Sequence, residues 1–361
     1  MKRLIVIAGI GIILITALRV WYFEAAESPA SDSLCVTFVG PPFIIPDESR
    51  AAIAVRLTDV AFFSLVTGHA DGARIPVRQP LLAASMPQAG GTLLLALSDG
   101  GGVRISSFDL TKRRENSTEF FDHIDAQLAV FAPNGEYLFG VTAKGIIFKV
   151  DVFERKVETF DGAATKANSL AVSQNGARLY VAGMGLAIVD TKSMRIESEL
   201  TAEPNLIEVS ASPDGHTLAL RNLKSIELFD LTEASGGALA SADVDPMPNV
   251  ASISSISRLV FAPDGSTLFY LKASGTGSEL LSLSTNDLHV KARMPTAPYP
   301  NAMALVPERG WILLTAGIPG HEKLVAVDVK TQAVVYEAAP SGGPSAGTTG
   351  SGGCPVVHKD K

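Results

Sequence analysis

Short runs of alternating or β-branched apolar residues follow one another along most of the chain, and Gly, Pro, Asn or Asp bounds each run. Runs of about five to seven such residues are typical of half-buried or fully buried β-strands. Beyond the first residues, the sequence has no long stretch with the apolar period of an amphipathic helix. We therefore predict an all-β fold.

One phrase recurs along the chain: a strand, a turn ending in Asx-Gly, and a second strand. Its copies are Leu128–Val141, Ser169–Ala182, Ile207–Leu220 and Ser257–Leu271, with a looser copy at Met303–Thr315. Successive turn glycines are 41, 39, 50 and 45 residues apart, and they are Gly135, Gly176, Gly215, Gly265 and Gly310. A repeat of roughly 40–50 residues made of short strands is typical of a β-propeller blade. Asn-Gly and Asp-Gly are also strong hairpin signals.

A second regularity follows each hairpin, because a third strand ends in an acidic or hydroxyl residue before another turn. The residues in this register are Asp109, Asp151, Asp190, Asp230, Ser284 and Asp328. Asp and Ser side chains accept hydrogen bonds from backbone N–H groups two residues further on, which favours turns. We predict that each residue caps the turn between its third and fourth strands, rather than joining a charged ring.

The repeats predict a propeller over residues 34–339. Five repeats are clear, a sixth surrounds Met86–Phe120, and a degenerate seventh covers Ala51–Val77. Seven blades fit this length, with six as the alternative. We expect the segment Cys35–Gly40 to pair into the last blade and close the ring. Residues 340–361 are rich in Gly and Ser and predict a flexible tail.

The first residues have the composition of a targeting or anchoring segment. Lys2 and Arg3 precede an uncharged apolar run over Leu4–Leu18. Residues 1–30 therefore predict a signal peptide or a membrane anchor, with an apolar helix over residues 4–23. Glu24 stands at the −3 position of the nearest cleavage site, Ala25-Ala26, which favours the anchor. Both alternatives export the bulk of the chain to the periplasm or another extracytoplasmic space.

The chain has two cysteines, Cys35 and Cys354, at opposite ends of the predicted ring. Closure of a propeller brings its two ends together, and an exported protein can keep a disulfide. We therefore expect these residues to form a disulfide, the alternative being two unpaired thiols on flexible ends.

Charge and motifs exclude several functions. A formal charge of −7 and a pI near 5.4 argue against nucleic acid as a partner. The six histidines show no metal-ligand spacing, and the sequence has neither a nucleophile elbow nor a phosphate-binding loop. We predict no catalytic residue, no metal ligand and no cofactor.

The segment Arg178–Ile196, RLYVAGMGLAIVDTKSMRI, resembles the YVTN-type propeller repeat, and a looser resemblance covers about residues 86–338. Related propellers occur in the β subunits of quinoprotein amine dehydrogenases, in surface-layer proteins and in other exported bacterial proteins. The chain departs from the redox-active subunits, because it has no Cys-x-x-Cys-His haem site and too few cysteines for a quinone-bearing subunit. At that level, the resemblance implies a non-catalytic propeller subunit.

Four Gly/Pro-rich segments predict enlarged loops on one face of neighbouring blades. They are Ala234–Ser254, Lys272–Glu279, Arg293–Asn301 and Ala316–Lys323. Long loops on a rigid scaffold often bind partners. The candidate binding residues in them are Asp245, Lys272, Tyr299 and His321. The alternative is loop growth without a function.

These observations favour a non-catalytic, membrane-tethered propeller that binds another exported or membrane protein. Two alternatives stay open: a lactonase-like hydrolase that uses a metal in the central channel, and an accessory propeller subunit of a periplasmic redox complex.

Overall fold

Seven four-stranded antiparallel sheets follow one another along the chain, and each sheet uses four consecutive strands. The computed structural model describes residues 42–339 except 46–49, 56–58, 78, 88–90, 111, 113, 162–165, 201–204, 233–237, 244–257, 273–277, 298–299 and 317–322. These residues belong to one compact unit, Cys35–Lys361.

The first four blades contain sixteen strands. Blade 1 consists of β1 Phe43–Ile44, β2 Arg50–Val55, β3 Asp59–Ser64 and β4 Ala70–Pro76; blade 2 of β5 Leu81–Ser85, β6 Thr92–Ser98, β7 Gly102–Asp109 and β8 Arg114–Asp122; blade 3 of β9 Ala126–Phe131, β10 Tyr137–Thr142, β11 Ile147–Asp151 and β12 Lys156–Phe160; blade 4 of β13 Ser169–Val172, β14 Arg178–Ala182, β15 Leu186–Asp190 and β16 Arg195–Leu200.

The last three blades contain twelve strands. Blade 5 consists of β17 Glu208–Ala211, β18 Thr217–Arg221, β19 Ser225–Asp230 and β20 Ala238–Asp243; blade 6 of β21 Leu259–Phe261, β22 Thr267–Lys272, β23 Ser278–Ser284 and β24 Val290–Thr296; blade 7 of β25 Pro300–Val306, β26 Trp311–Ala316, β27 Lys323–Asp328 and β28 Ala333–Ala338. One 3-10 turn, Pro307–Arg309, joins β25 to β26.

The blades close into a ring through clusters of buried apolar side chains between neighbouring sheets. One such cluster joins Phe63 and Leu65 of blade 1 to Leu313 and Leu324 of blade 7, so the first and last blades are neighbours. Similar clusters join each other successive pair of blades. The seven-bladed prediction is confirmed, and the six-bladed alternative is wrong because residues 43–76 form a complete first blade.

Burial of the side chains decreases from the second strand of a blade to the fourth. The second strand is almost wholly buried, as β6 and β10 show, because both of its faces pack against neighbouring blades. The fourth strand is mostly exposed, as β12 and β20 show, because it forms the rim. The apolar residues of the second and third strands therefore supply most of the core.

The recurring Asx-Gly sequences form the predicted hairpins between first and second strands. In blade 3, the Gly135 N–H donates to the Ala132 carbonyl at 2.9 Å, and Gly135 has a φ of 73°. Only the glycine is left-handed, so the loop is built on a type I turn rather than on a type I′ turn. Pro133 favours this turn, because its ring fixes a negative φ at the first turn position, and blade 4 forms the same turn with Gln174 there.

The predicted caps between third and fourth strands are confirmed. The Asp190 carboxylate accepts from the Ser193 N–H at 2.6 Å, and Asp328 accepts from the Thr331 N–H at 2.7 Å. The corresponding bonds in the other blades run from Lys112 to Asp109, from Glu154 to Asp151, from Thr232 to Asp230 and from Asn286 to the Ser284 hydroxyl.

Several predictions fall on residues outside the described part of the chain. They are the N-terminal segment 1–30, the closing segment Cys35–Gly40, the Cys35–Cys354 disulfide and the tail 340–361. Within the described ranges, the last blade takes all four strands from residues 300–338. No helix in the part of the chain that the structure describes has the length and apolarity needed to cross a membrane.

Candidate functional site

Consecutive antiparallel strands give the ring two different faces. The turns between first and second strands and between third and fourth strands open on one face, which we call the turn face. The loops between second and third strands and the connections between blades open on the opposite face, which we call the loop face. By the strand order, each of the four predicted binding segments contains a connection of the kind that opens on the loop face.

The predicted binding residues lie mostly outside the described ranges. Lys272 ends β22 on the loop face, is half-buried and stands opposite Glu279 of β23. Asp245, Tyr299 and His321 are not among the described residues. Their convergence on one binding surface therefore stays a prediction.

Two of the predicted loops are shorter than the sequence suggested. Residues Ala238–Asp243, within the predicted loop 234–254, form β20, the outer strand of blade 5. Likewise, Arg293–Thr296 belong to β24. The small residues of β20 gave a weak strand signal, but its pairing with β19 supplies the backbone hydrogen bonds that make it a strand.

A buried ionic cluster lies at the loop-face end of blades 5 and 6. Glu208 starts β17 and stands opposite Arg221, which ends β18. Glu208, Arg221 and Arg258 are only 4%, 1% and 5% exposed. Glu208 Oε2 accepts from Arg221 Nε and Nη2 at 2.9 and 2.8 Å, while Oε1 accepts from the N–H groups of Arg258 and Leu259 at 2.6 and 2.9 Å.

This cluster fixes the point at which the chain enters blade 6. Arg258 directly precedes β21, so the carboxylate of Glu208 binds the backbone at the start of blade 6. Burial lowers the pKa of Arg258, and the neighbouring Arg221 cation lowers it further. Buried charges of this kind are costly unless they are paired. The cluster has the character of a structural clamp on the loop face.

The turn face carries a cavity between blades 4 and 5, with a volume of about 580 Å³. This size suits a small ligand or one inserted side chain. The cavity is lined by Ser173, Gln174, Asn175, Ala177, Arg178, Tyr180, Asp190, Glu197, Pro213, Asp214, Gly215, His216 and Leu231. These residues come from the hairpin turns of both blades, from the second, third and fourth strands of blade 4 and, for Leu231, from the position directly after β19 in blade 5.

Tyr180 is a fully buried polar side chain of this cavity. It lies in β14 and is 0% exposed within the apolar cluster between blades 4 and 5. Its hydroxyl has no hydrogen-bond partner among the residues that the structure describes. Burial raises the pKa of Tyr180, and the nearby Arg178 guanidinium, whose geometry gives no hydrogen bond to the hydroxyl, opposes that shift by its charge and its proximity. A buried hydroxyl without a partner costs roughly 1–3 kcal/mol of stability.

A β-bulge adds a carboxylate to the cavity wall. The pairing of β15 with β16 shifts between Ile188 and Val189, so Glu197 is an extra residue between the paired positions Ile196 and Ser198. Bulges often redirect a side chain in this way. The Arg178 Nε donates to Glu197 Oε2 at 2.8 Å, which pairs the one arginine of the cavity lining with the added carboxylate.

Two further carboxylates give the cavity an excess of negative charge. The Ser193 hydroxyl and N–H hold the pKa of Asp190 below its ordinary value. The Ser212 hydroxyl and the His216 N–H do the same for the pKa of Asp214. Both residues are therefore ionised at neutral pH, and Arg178 is already paired with Glu197. The site has the electrostatics to receive a cation.

Sequence reasoning missed the residues of both sites. Tyr180 lies in the repeat segment Arg178–Ile196 and His216 directly follows the turn glycine Gly215, but neither residue belongs to a catalytic or metal-binding motif. Among the described residues, no group of three or more His, Cys, Asp or Glu side chains has the arrangement of a metal site.

Comparisons with known proteins bear on the fold. No protein-family model matches the chain, and no curated protein matches it in sequence. Among solved structures, the β-propeller domain of Cps50 (Swd1) from Myceliophteria thermophila superposes with a TM-score of 0.62 at 12% identity, covering 82% of this chain and 99% of that one.

Two other solved structures are similar at the same level. A chain of the hydrazine synthase of Kuenenia stuttgartiensis gives a TM-score of 0.59 at 15% identity, with 86% of this chain and 99% of that one covered. A chain of the Mitotic Checkpoint Complex also gives 0.59, at 16% identity, with 82% and 93% covered. At these identities the likeness shows the fold alone. This protein is a seven-bladed β-propeller.

Proposed function

We propose that this propeller is an exported, membrane-tethered scaffold that binds another exported or membrane protein without catalysing a reaction on it. The observation that supports this most is the closed ring, in which buried cores join every pair of neighbouring blades, including the first and the last. Such a ring offers two broad faces. A partner can bind to either face without changing the geometry of the ring.

The similar solved structures support a role in assemblies. One is a chain of a complex named for the mitotic checkpoint, and another is the propeller domain of Cps50 (Swd1). Protein partners are therefore plausible for a propeller of this shape. Export and tethering rest on the composition of residues 1–30, in which Lys2 and Arg3 precede the apolar run.

The finer assignment to YVTN-type repeats is part of this proposal. It rests on Arg178–Ile196, which contains β14 and β15 joined by a tight Gly-Met-Gly loop. A repeat of that type is compatible with a subunit that supports a partner.

The test is capture of partners from the native membrane fraction with the full chain carrying a C-terminal tag. The proposal predicts that the chain sediments with membranes and that one protein is enriched above an untagged control. A matched variant, in which a cleavable signal replaces residues 1–30, is expected to keep the partner and leave the membrane. Absence of any enriched protein would contradict the scaffold role, and release of the full chain by high salt would contradict tethering.

The same preparation separates the alternatives. A stoichiometric divalent metal in the purified protein would favour the hydrolase, and a haem- or quinone-bearing partner would favour the redox accessory subunit.

A further inference from the structure

The seven blades provide an internal comparison for the cavity on the turn face. In the strand register, the position of Arg178 corresponds to Thr217 in blade 5, because these residues pair with Asp190 and Asp230. The position of Tyr180 lies two residues further along. In the other six blades that position is apolar, and its residues are Ala52, Leu94, Phe139, Ala219, Phe269 and Leu313.

This comparison shows that the fold does not need the hydroxyl of Tyr180. Phe139 and Phe269 fill the same position in blades 3 and 6, both almost fully buried. The hydroxyl makes no hydrogen bond in the described part of the chain, and Tyr180 is one of the residues that line the cavity. A buried polar atom without a partner is unfavourable, so its presence beside a cavity indicates an atom that a ligand satisfies.

The charged side chains that line the cavity with Tyr180 indicate which chemical group the cavity can bind. Asp190 ends β15 of blade 4, Asp214 lies in the turn between β17 and β18 of blade 5, and Glu197 is paired with Arg178. The cavity therefore offers separated acceptors: two carboxylates and one phenolic oxygen. A guanidinium group has five donors in a planar fork and suits several separated acceptors better than the compact ammonium of lysine does.

We propose that the cavity between blades 4 and 5 receives an arginine side chain of a protein partner, with Tyr180 and the carboxylates of Asp190 and Asp214 as acceptors. The inference rests on the proposed scaffold function and assigns a contact of that scaffold to the turn face. The approach of an arginine is favoured further because Arg178 is neutralised by Glu197.

The test uses the full chain and short blocked peptides as probes. Acetyl-Gly-Arg-Gly-amide is titrated at low salt by calorimetry or NMR, against the same peptide with lysine, with citrulline or with glutamate. We expect the arginine peptide to bind, the lysine peptide to bind more weakly, and the neutral citrulline and acidic glutamate peptides to show no saturable binding. Equal binding of the arginine and citrulline peptides, or no binding of the arginine peptide, would overturn the proposal.

Variants then localise the contact. Tyr180→Phe is expected to weaken the arginine peptide by about 3- to 10-fold, the value of one hydrogen bond. The same variant is expected to raise the melting temperature by roughly 2–4 °C, because an unsatisfied hydroxyl is removed. A merely structural tyrosine would give no loss of affinity.

Asp214→Asn removes a carboxylate from the cavity, and Asp264→Asn is its matched control. Asp264 holds the equivalent turn in blade 6 by accepting from the Ser266 N–H at 3.0 Å, as Asp214 accepts from His216 at 3.0 Å. We expect Asp214→Asn to weaken arginine binding and Asp264→Asn to leave it unchanged. Equal effects of the two variants would overturn the proposal.

Partner capture distinguishes this inference from the function on which it rests. If Tyr180→Phe captures the partner as well as the parent chain does, the cavity assignment fails and the scaffold stands. If the parent chain captures no protein but binds the arginine peptide with the expected variant effects, the scaffold function fails and the cavity remains an arginine site.

Discussion

Gly68 of blade 1 packs directly against the ring of Tyr336 in blade 7. A Cβ added at Gly68 would lie 2.5 Å from Tyr336 Cε2 and 2.6 Å from the Ala338 Cβ, and Gly68 has a φ of 71°. The turn between β3 and β4 therefore contacts β28 of blade 7 closely at a residue that has no side chain. This contact is part of the seam at which the ring closes.

We predict that Gly68→Ala destabilises the protein by about 2–5 kcal/mol, from left-handed backbone strain together with overpacking at the seam. Gly176→Ala is the matched control, because Gly176 has a φ of 72° and no atom within 4 Å of an added Cβ. The control is expected to lose only about 1–2 kcal/mol, the strain alone. Urea unfolding measures both values, and equal losses would show that the seam contact contributes nothing.

Removal of the Glu208 carboxylate is predicted to be more damaging than removal of an exposed one. Glu208→Ala removes the carboxylate that accepts hydrogen bonds from Arg221 and from the backbone N–H of Arg258. The buried arginine charge then has no carboxylate to balance it, and we expect the free energy of unfolding to fall by about 3–5 kcal/mol. The control is Glu279→Ala, since Glu279 pairs with Arg293 at 3.2 Å on the surface, where such pairs contribute about 0–1 kcal/mol. Chemical unfolding midpoints give the comparison. A loss below about 1 kcal/mol for Glu208→Ala would contradict the structural clamp.

Acid is predicted to destabilise the ring through its turn carboxylates. Hydrogen bonds from Thr232 and from Thr331 hold the pKa values of Asp230 and Asp328 below the ordinary value of 3.8. The folded state thus binds fewer protons than the unfolded state, so this stability is complete above pH 3.8 and declines as the pH falls through the lowered folded pKa values.

The melting temperature measured from pH 6 to pH 2 tests this prediction. The double variant Asp230→Asn/Asp328→Asn keeps the side-chain acceptors but removes the two titrating groups. We expect its melting temperature to fall less steeply below about pH 4 than that of the parent chain. Identical slopes would show that these two carboxylates are not linked to folding.

The architecture was accessible from the sequence because it depends on local signals that repeat. Gly135 and its equivalents mark the hairpins, and residues such as Asp190 and Asp328 mark the ends of third strands. Each signal acts within a few residues through backbone hydrogen bonds. The degenerate first blade was predicted because seven units fit the length of the repeat region. Its first strand, β1, is only two residues long.

The candidate sites were not accessible in the same way, because they form between elements that are distant in sequence. Glu208 accepts from the backbone N–H of Arg258, fifty residues further along. In the sequence, Tyr180 is one aromatic residue in the strand of a repeat. Its hydroxyl becomes a candidate for binding only because the turns of blade 5 form a cavity with it. The small residues of β20 gave too little periodicity to separate a rim strand from a loop.

Site-specific photo-crosslinking in the native host tests most directly the central claim that a partner protein docks on a face of this rigid ring. The crosslinking residue is placed at Gln174 on the turn face, at Lys224 on the loop face, or at Glu158 on the rim, all of which are exposed. The account predicts one discrete protein adduct from Gln174 and none from Glu158. A chain that forms no adduct at either face, or that forms the same adducts at all three positions, would contradict it.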